Sequence, residues 1–182
     1  MSGWPHLCVD LPPWVDELVP PDTVCPDEDA AMRRAIALAE RNVVDGGGPF
    51  GAVVVERASG RVVGAGVNRV LALGNCSLHA EIVALAMAER RLGRLALPDC
   101  SLVTSCEPCA MCLGATLWSG VGRLICGARR EDAEAIGFDE GPVFAESYRY
   151  LEGRGVEVAR DVQRDAARAV LEAYRRRGLP LY

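Results

Sequence analysis

Residues 101–127 read SLVTSCEPCAMCLGATLWSGVGRLICG. Ser101-Leu102-Val103-Thr104 is an apolar run of strand length. Pro108 suits the first turn of a helix over about 109–119, and Arg123-Leu124-Ile125-Cys126-Gly127 is a second strand-like run. Strand, helix and strand follow one another with little between them, which is the pattern of an α/β domain.

The same pattern extends in both directions. Upstream, Ala52-Val53-Val54-Val55-Glu56 and Arg61-Val62-Val63-Gly64-Ala65-Gly66-Val67 form a hairpin through the turn Ala58-Ser59-Gly60. Before it, Asp27 is placed to cap a helix over about 28–45, with Met32, Ile36 and Ala39 at helical spacing. Gly46-Gly47-Gly48 and Pro49 end that helix. A loop over 69–78 leads to a helix at about 79–92 that buries Ile82, Val83, Leu85 and Ala86. Downstream, Val156-Glu157-Val158 is a fifth strand, and helices fall near 130–136, 142–152 and 164–177. The predicted fold is a mixed five-stranded sheet with helices on both faces. Residues 1–26 contain prolines 5, 12, 13, 20, 21 and 26, together with Trp4 and Trp14. They form an irregular arm, helical at most over Trp14–Val19, that lies over the domain or over a neighbouring subunit. Residues 27–182 then form a single domain.

Aromatics make up only 5% of the 182 residues, so Val, Leu, Ala and Ile must build the core. The net charge of −5 argues against a polyanionic partner, which needs clustered Lys and Arg. Arg90-Arg91 and Arg175-Arg176-Arg177 sit where helices end, as solvated charges facing the dipole. There is no secretory leader and no apolar run long enough to span a membrane, so a cytoplasmic protein is expected. Eight cysteines in such a chain are not read as disulfides. Cys126 lies in a strand-like run and Cys100 just before another, and both are expected to be buried.

The cluster at 106, 109 and 112 is better suited to metal chemistry. His79, Cys109 and Cys112 supply one nitrogen and two thiolates. That set suits one Zn²⁺ per chain with a fourth position left open for water. Cys109 and Cys112 are three apart at a helix start, so they face one side and benefit from the positive end of the dipole. Glu81, two residues after His79, reaches the open position without being a ligand. It would take the proton of an activated water, pass it to a ring nitrogen and finally to a leaving amine. A structural site completed by Cys106 or His6, or a redox Cys pair, would leave Glu81 and Pro108 without a role. Joined as H-x-E…P-C-x-x-C, the two halves have the form of a zinc-dependent nucleobase deaminase site.

The stretch Thr104-Ser105-Cys106-Glu107-Pro108-Cys109-Ala110-Met111-Cys112-Leu113-Gly114-Ala115 resembles the zinc-site segment of the bacterial guanine deaminases in the cytidine deaminase-like superfamily. Gly47-Gly48-Pro49-Phe50-Gly51-Ala52-Val53, Glu134-Ala135-Ile136-Gly137-Phe138-Asp139-Glu140 and the final Leu181-Tyr182 are similar to segments of the same group. The resemblance implies a three-layer α/β/α cytidine deaminase-like fold and a homodimer with exchanged C-terminal segments. It also implies substrate roles. Phe50 would lie against the purine face, Asn68 and Glu140 would bind its edge, Ala80 and Tyr182 would reach the site, and Trp118 would wall the pocket. Read alone, Phe50 and Trp118 suit a core equally well, Asn68 a turn and Glu140 a solvated loop. Two departures lie on the substrate side. Asn75-Cys76-Ser77-Leu78 replaces the usual Asp-Pro-Thr-Ala before the histidine, and Glu140 stands where the group often has Asp.

The expected activity is zinc-dependent hydrolysis of a free nucleobase, guanine to xanthine and ammonia, with Glu81 as proton shuttle. Guanosine, cytosine and an aminotriazine are the neighbouring substrates. A tRNA adenosine deaminase lacks its basic face here, and a zinc-stabilised binding module has no use for Glu81.

Overall fold

The computed structural model describes Gly3 and residues 8–182. Trp4, Pro5 and His6 lie outside the described residues. The elements follow in order: α1 (Trp14–Leu18), α2 (Glu28–Val44), β1 (Gly51–Glu56), β2 (Val62–Val67), α3 (Val70–Leu73), α4 (Ala80–Leu92), β3 (Cys100–Cys106), α5 (Ala110–Ser119), β4 (Arg123–Ala128), α6 (Arg130–Glu134), α7 (Ala145–Gly153), β5 (Glu157–Ala159) and α8 (Arg164–Arg176). The strand order is β2-β1-β3-β4-β5. β1 is antiparallel to both of its neighbours, and β3, β4 and β5 are parallel. The expected mixed α/β sheet is therefore present.

Alternation along the strands separates two cores. Val53, Val103 and Ile125 stand in one cross-strand row and pack against α1, α2 and α8. Val54, Leu102 and Leu124 form the next row and face α4, α5 and α7. β3 is buried along its whole length, as a central strand covered on both faces must be. Helix α2 begins where the Asp27 carboxylate accepts the Ala30 N–H at 2.7 Å, and it buries Met32, Ala35, Leu38, Ala39 and Val43. Asn42 lies in the same buried stripe.

The described part of the N-terminal arm is tied to the domain. Trp14, Val15 and Val19 are buried in the α2 core, and the Cys25 N–H donates to Gly60 O at 2.7 Å. The loop expected over 69–78 contains the short helix α3. It starts where Asn68 Oδ1 accepts the Val70 N–H, a local bond that periodicity does not reveal. The helix expected from about 142 begins at Ala145, because the Phe144 N–H is held by Ser147 Oγ.

Helix α4 lies directly on the backbone of β2. A methyl group at Gly66 would collide with the Ala80 carbonyl oxygen, and one at Gly64 with the Ala84 carbonyl oxygen. These two glycines set the depth of the helix that begins at His79 and Glu81. Gly66→Val is expected to lower stability by about 1–3 kcal/mol through overpacking. Denaturant unfolding measures this; unchanged stability would mean that α4 can move away freely.

Candidate active site

Two helix N-termini meet beyond the carboxyl end of β3. His79 is the N-cap of α4 and Cys109 the N-cap of α5, so both stand where backbone N–H groups point outward. Chain reversal brings them together. His79 Nδ1 lies 3.4 Å from Cys109 Sγ and 3.7 Å from Cys112 Sγ, and the three ligand atoms lie within 4.8 Å of one another. Cys106 takes no part, because its thiol faces the Arg129 carbonyl at 3.6 Å. A fourth protein ligand is therefore lacking among the described residues, as an open catalytic site requires.

The electrostatics fit a dication. Cys109 is lowered to about 4 by a hydrogen bond from Cys112, against the opposing effect of burial, and with help from His79. Cys112 is shifted upward, because it keeps the proton it shares with Cys109 and is buried. A zinc ion takes the place of that proton and of the shared hydrogen bonds. Burial lowers His79, but the Cys109 hydrogen bond and the charges of Glu81, Cys109 and Glu140 outweigh it, leaving a net rise. Glu81 is buried, and burial followed by the Cys109 charge raises its carboxyl. Glu140 is also buried. It is pushed up to about 8 by burial and then by Cys109 and Glu81.

The residues expected around a substrate fall into two groups. Glu140 is held beside the metal helix, since its carbonyl accepts the Ala110 N–H at 3.0 Å and Asp139 Oδ1 accepts the Gly141 N–H at 2.9 Å. Asn68 is buried, with Oδ1 committed to the Val70 N–H and Nδ2 facing the Tyr182 hydroxyl without a hydrogen bond of ordinary geometry. Because a backbone N–H can only donate, the amide orientation is determined and its free group is a donor. Phe50 makes an edge contact with Phe138 at 5.0 Å, and Phe138 another with Tyr182 at 5.3 Å. Although 37% of Tyr182 stays exposed, its hydroxyl lies inside, where a methyl at Gly48 would meet it. The tail reaches this chain's own site: Tyr174 donates to the Pro180 carbonyl and Leu181 packs over Gly137. Ala80 is fully buried, in the core cluster that also holds Val54 and Ala84.

Trp118 corrects the expectation. It is 83% exposed and stands about 13 Å along α5 from Cys109, at 1.5 Å per residue, too far to wall this pocket. Phe138 and Tyr174 were not singled out from sequence, although an aromatic in the quoted Gly-Phe-Asp segment was the available signal. The roomiest hollows, of about 450 and 390 Å³, lie along β2 and between α6 and α7 and contain none of these residues.

Residues 26–128 match the family described as the cytidine and deoxycytidylate deaminase zinc-binding region. A guanine deaminase from Bacillus subtilis is 38% identical over 131 residues, 71% of this chain and 83% of that protein. A solved structure of guanine deaminase from Nitrosomonas europaea is 42% identical, with a TM-score of 0.90 over 94% of this chain and 97% of that one. Another, in complex with 2,6-diaminopurine, is 42% identical with a TM-score of 0.91, over 97% of this chain and 96% of that one.

The ligand set predicts about one zinc per chain in the purified protein and little in Cys109→Ala or Cys112→Ala. Elemental analysis measures the content. Full zinc in both variants would exclude this triad as the site.

Proposed function

The chain belongs to the cytidine and deoxycytidylate deaminase family, and from that premise we propose that it hydrolyses guanine to xanthine and ammonia with zinc as cofactor. One observation carries the proposal: the His79, Cys109 and Cys112 cation site stands with buried Glu81 beside a buried, unpartnered Asn68 donor and a buried Glu140 acid.

His79, Cys109 and Cys112 hold the zinc, which when bound supplies the Lewis acidity that makes hydroxide available near neutral pH. The chain's own residues do the rest. Glu81 accepts a proton from the attacking water as oxygen bonds to C2 of guanine, and delivers it to the adjacent ring N3. It then moves the second proton from that oxygen to the C2 amine. The C–N bond breaks, ammonia leaves and a carbonyl remains at C2. Burial raises the carboxyl and a bound dication opposes that rise; a base that must also return protons needs such a balance. Asn68 Nδ2 donates to an acceptor on the purine edge and Glu140 pairs with a ring N–H. The Phe50 ring lies against the purine face, and Tyr182 closes the opening. The Ala80 N–H, one of the first-turn donors without an intrahelical acceptor, is a further main-chain contact.

Two finer features belong to the same proposal. The protein acts in the cytoplasm, a reducing compartment suited to its eight unpaired cysteines. No helix among the described residues is long and apolar enough to cross a membrane. It also pairs as a homodimer through the outer face of α5. Trp118 and Ala115 border one groove there with Ile82, Ala86 and Leu95, and Gly114 and Leu117 border another with Tyr150. Trp118 and Leu95 in the first groove and Tyr150 in the second are 83%, 79% and 59% exposed, apolar surface that a partner would cover.

A panel of guanine, guanosine, adenine, cytosine, cytidine and aminotriazines should release ammonia from guanine. Glu81→Ala should keep its zinc and lose about 10²–10⁴-fold in kcat. Turnover of another member, or an unimpaired Glu81→Ala, would overturn the corresponding part of the proposal. For the assembly, sedimentation should give a dimer that Trp118→Glu converts to monomer; a monomeric wild type would exclude the pairing.

A further inference from the structure

Asn42 is a buried amide in a helix stripe that is otherwise apolar. It is 1% exposed, between Leu38, Ala39 and Val43 on the inner face of α2. Its Nδ2 lies 2.8 Å from the Gly48 carbonyl and 2.9 Å from the Asn68 carbonyl. An amide nitrogen carries two hydrogens, and here each has an acceptor on a different segment. One segment leads to Phe50 and holds the glycine against which the Tyr182 hydroxyl rests. The other is the Asn68 hinge between β2 and α3.

The middle glycine of Gly46-Gly47-Gly48 has its reason here. A methyl at Gly47 would come within 2.5 Å of both Nδ2 and Oδ1 of Asn42, so only glycine leaves room for the amide. The two segments also extend the β1–β2 ladder, with Asn68 N–H to Phe50 O at 3.2 Å next to the Gly51–Val67 pair, but the ladder goes no further and leaves Gly48 and the Asn68 carbonyl to other partners. Adding Asn42 triangulates them. With its carbonyl held by Asn42 and Oδ1 held by Val70, Asn68 retains one aim for its free Nδ2.

We infer that Asn42 is a positioning residue for substrate recognition, setting the aim of Asn68 and the distance between it and the Phe50 wall without touching the substrate. The inference rests on the reading of this site as a nucleobase site. Asn42 acts on a binding edge rather than on the reacting carbon, so its loss weakens substrate and transition state alike. KM therefore rises while kcat changes little.

The test compares Asn42→Leu, of the same branched shape and with no donor, with Asn42→Ser, which keeps one donor. Ile36→Ala is the control, destabilising the same helix two turns away. Asn42→Leu should raise KM for guanine about tenfold or more with kcat within about threefold of wild type, and Asn42→Ser should fall between. In the zinc-loaded, substrate-free protein, the Asn68 and Val70 amides should exchange hydrogen about tenfold faster in Asn42→Leu, relative to the amides of β3. Ile36→Ala should lower the melting temperature while leaving KM and those relative exchange rates unchanged. If Asn42→Leu does not fold, Asn42→Ser carries both measurements. Unchanged exchange overturns the inference whatever the substrate. Faster exchange with unchanged KM, or a fall confined to kcat, overturns its link to recognition. A wild type that binds zinc but leaves guanine intact overturns the guanine reading, and the exchange arm then decides the inference by itself.

Discussion

The whole site depends on one contact, the approach of the His79 imidazole to within 3.4 Å of the Cys109 sulfur. The two residues begin different helices and share no strand, so nothing local holds them together. Their separation is set by how deeply each helix seats on the sheet. For α4 that depth is determined by Gly64 and Gly66, whose missing side chains let helix backbone rest on strand backbone. A close-packed interior transmits small displacements, so a methyl under α4 acts on the metal site some distance away.

Bringing two helix N-termini together also concentrates unpaired N–H groups and positive dipole ends, and the residues placed there are acidic. Cys109, Glu81 and Glu140 are all buried. Without a cation, burial and then the Cys109 charge raise the proton affinity of Glu81 and Glu140. The cluster is thus unfavourable to folding by itself and favourable to a bound dication. Metal binding and folding are coupled here for the same reason that the acids can move protons.

Much of the fold was legible in the sequence. The Asp27 cap, the glycine run after α2, the strand-length apolar runs and Pro108 before α5 are local signals, and their elements lie where those signals place them. Helix α3 was missed because its start is a side-chain bond from Asn68 that leaves no periodicity. Trp118 was misplaced because a large aromatic near a metal helix fits a pocket wall and an exposed face equally well. Which of these it occupies depends on rotation about the helix axis and distance along it. Asn42 carried a weak signal, a polar residue in a buried stripe, but its acceptors are distant main-chain carbonyls that no spacing rule reveals.

The sequence by itself determined the chemistry: a nitrogen and two thiolates for a metal and a carboxylate beside it, because ligand type and short-range spacing are written in consecutive residues. It also determined the order of strands and helices, through periodicity and breakers. Only the tertiary structure decided which acids and amides surround that chemistry. Glu140 at the start of α5, Asn68 with its donor free and Tyr182 against Gly48 come from three distant segments. They meet because helix seating, strand register and the glycine clearances bring them to one end of the sheet, and these are properties of packing rather than of any short stretch of chain.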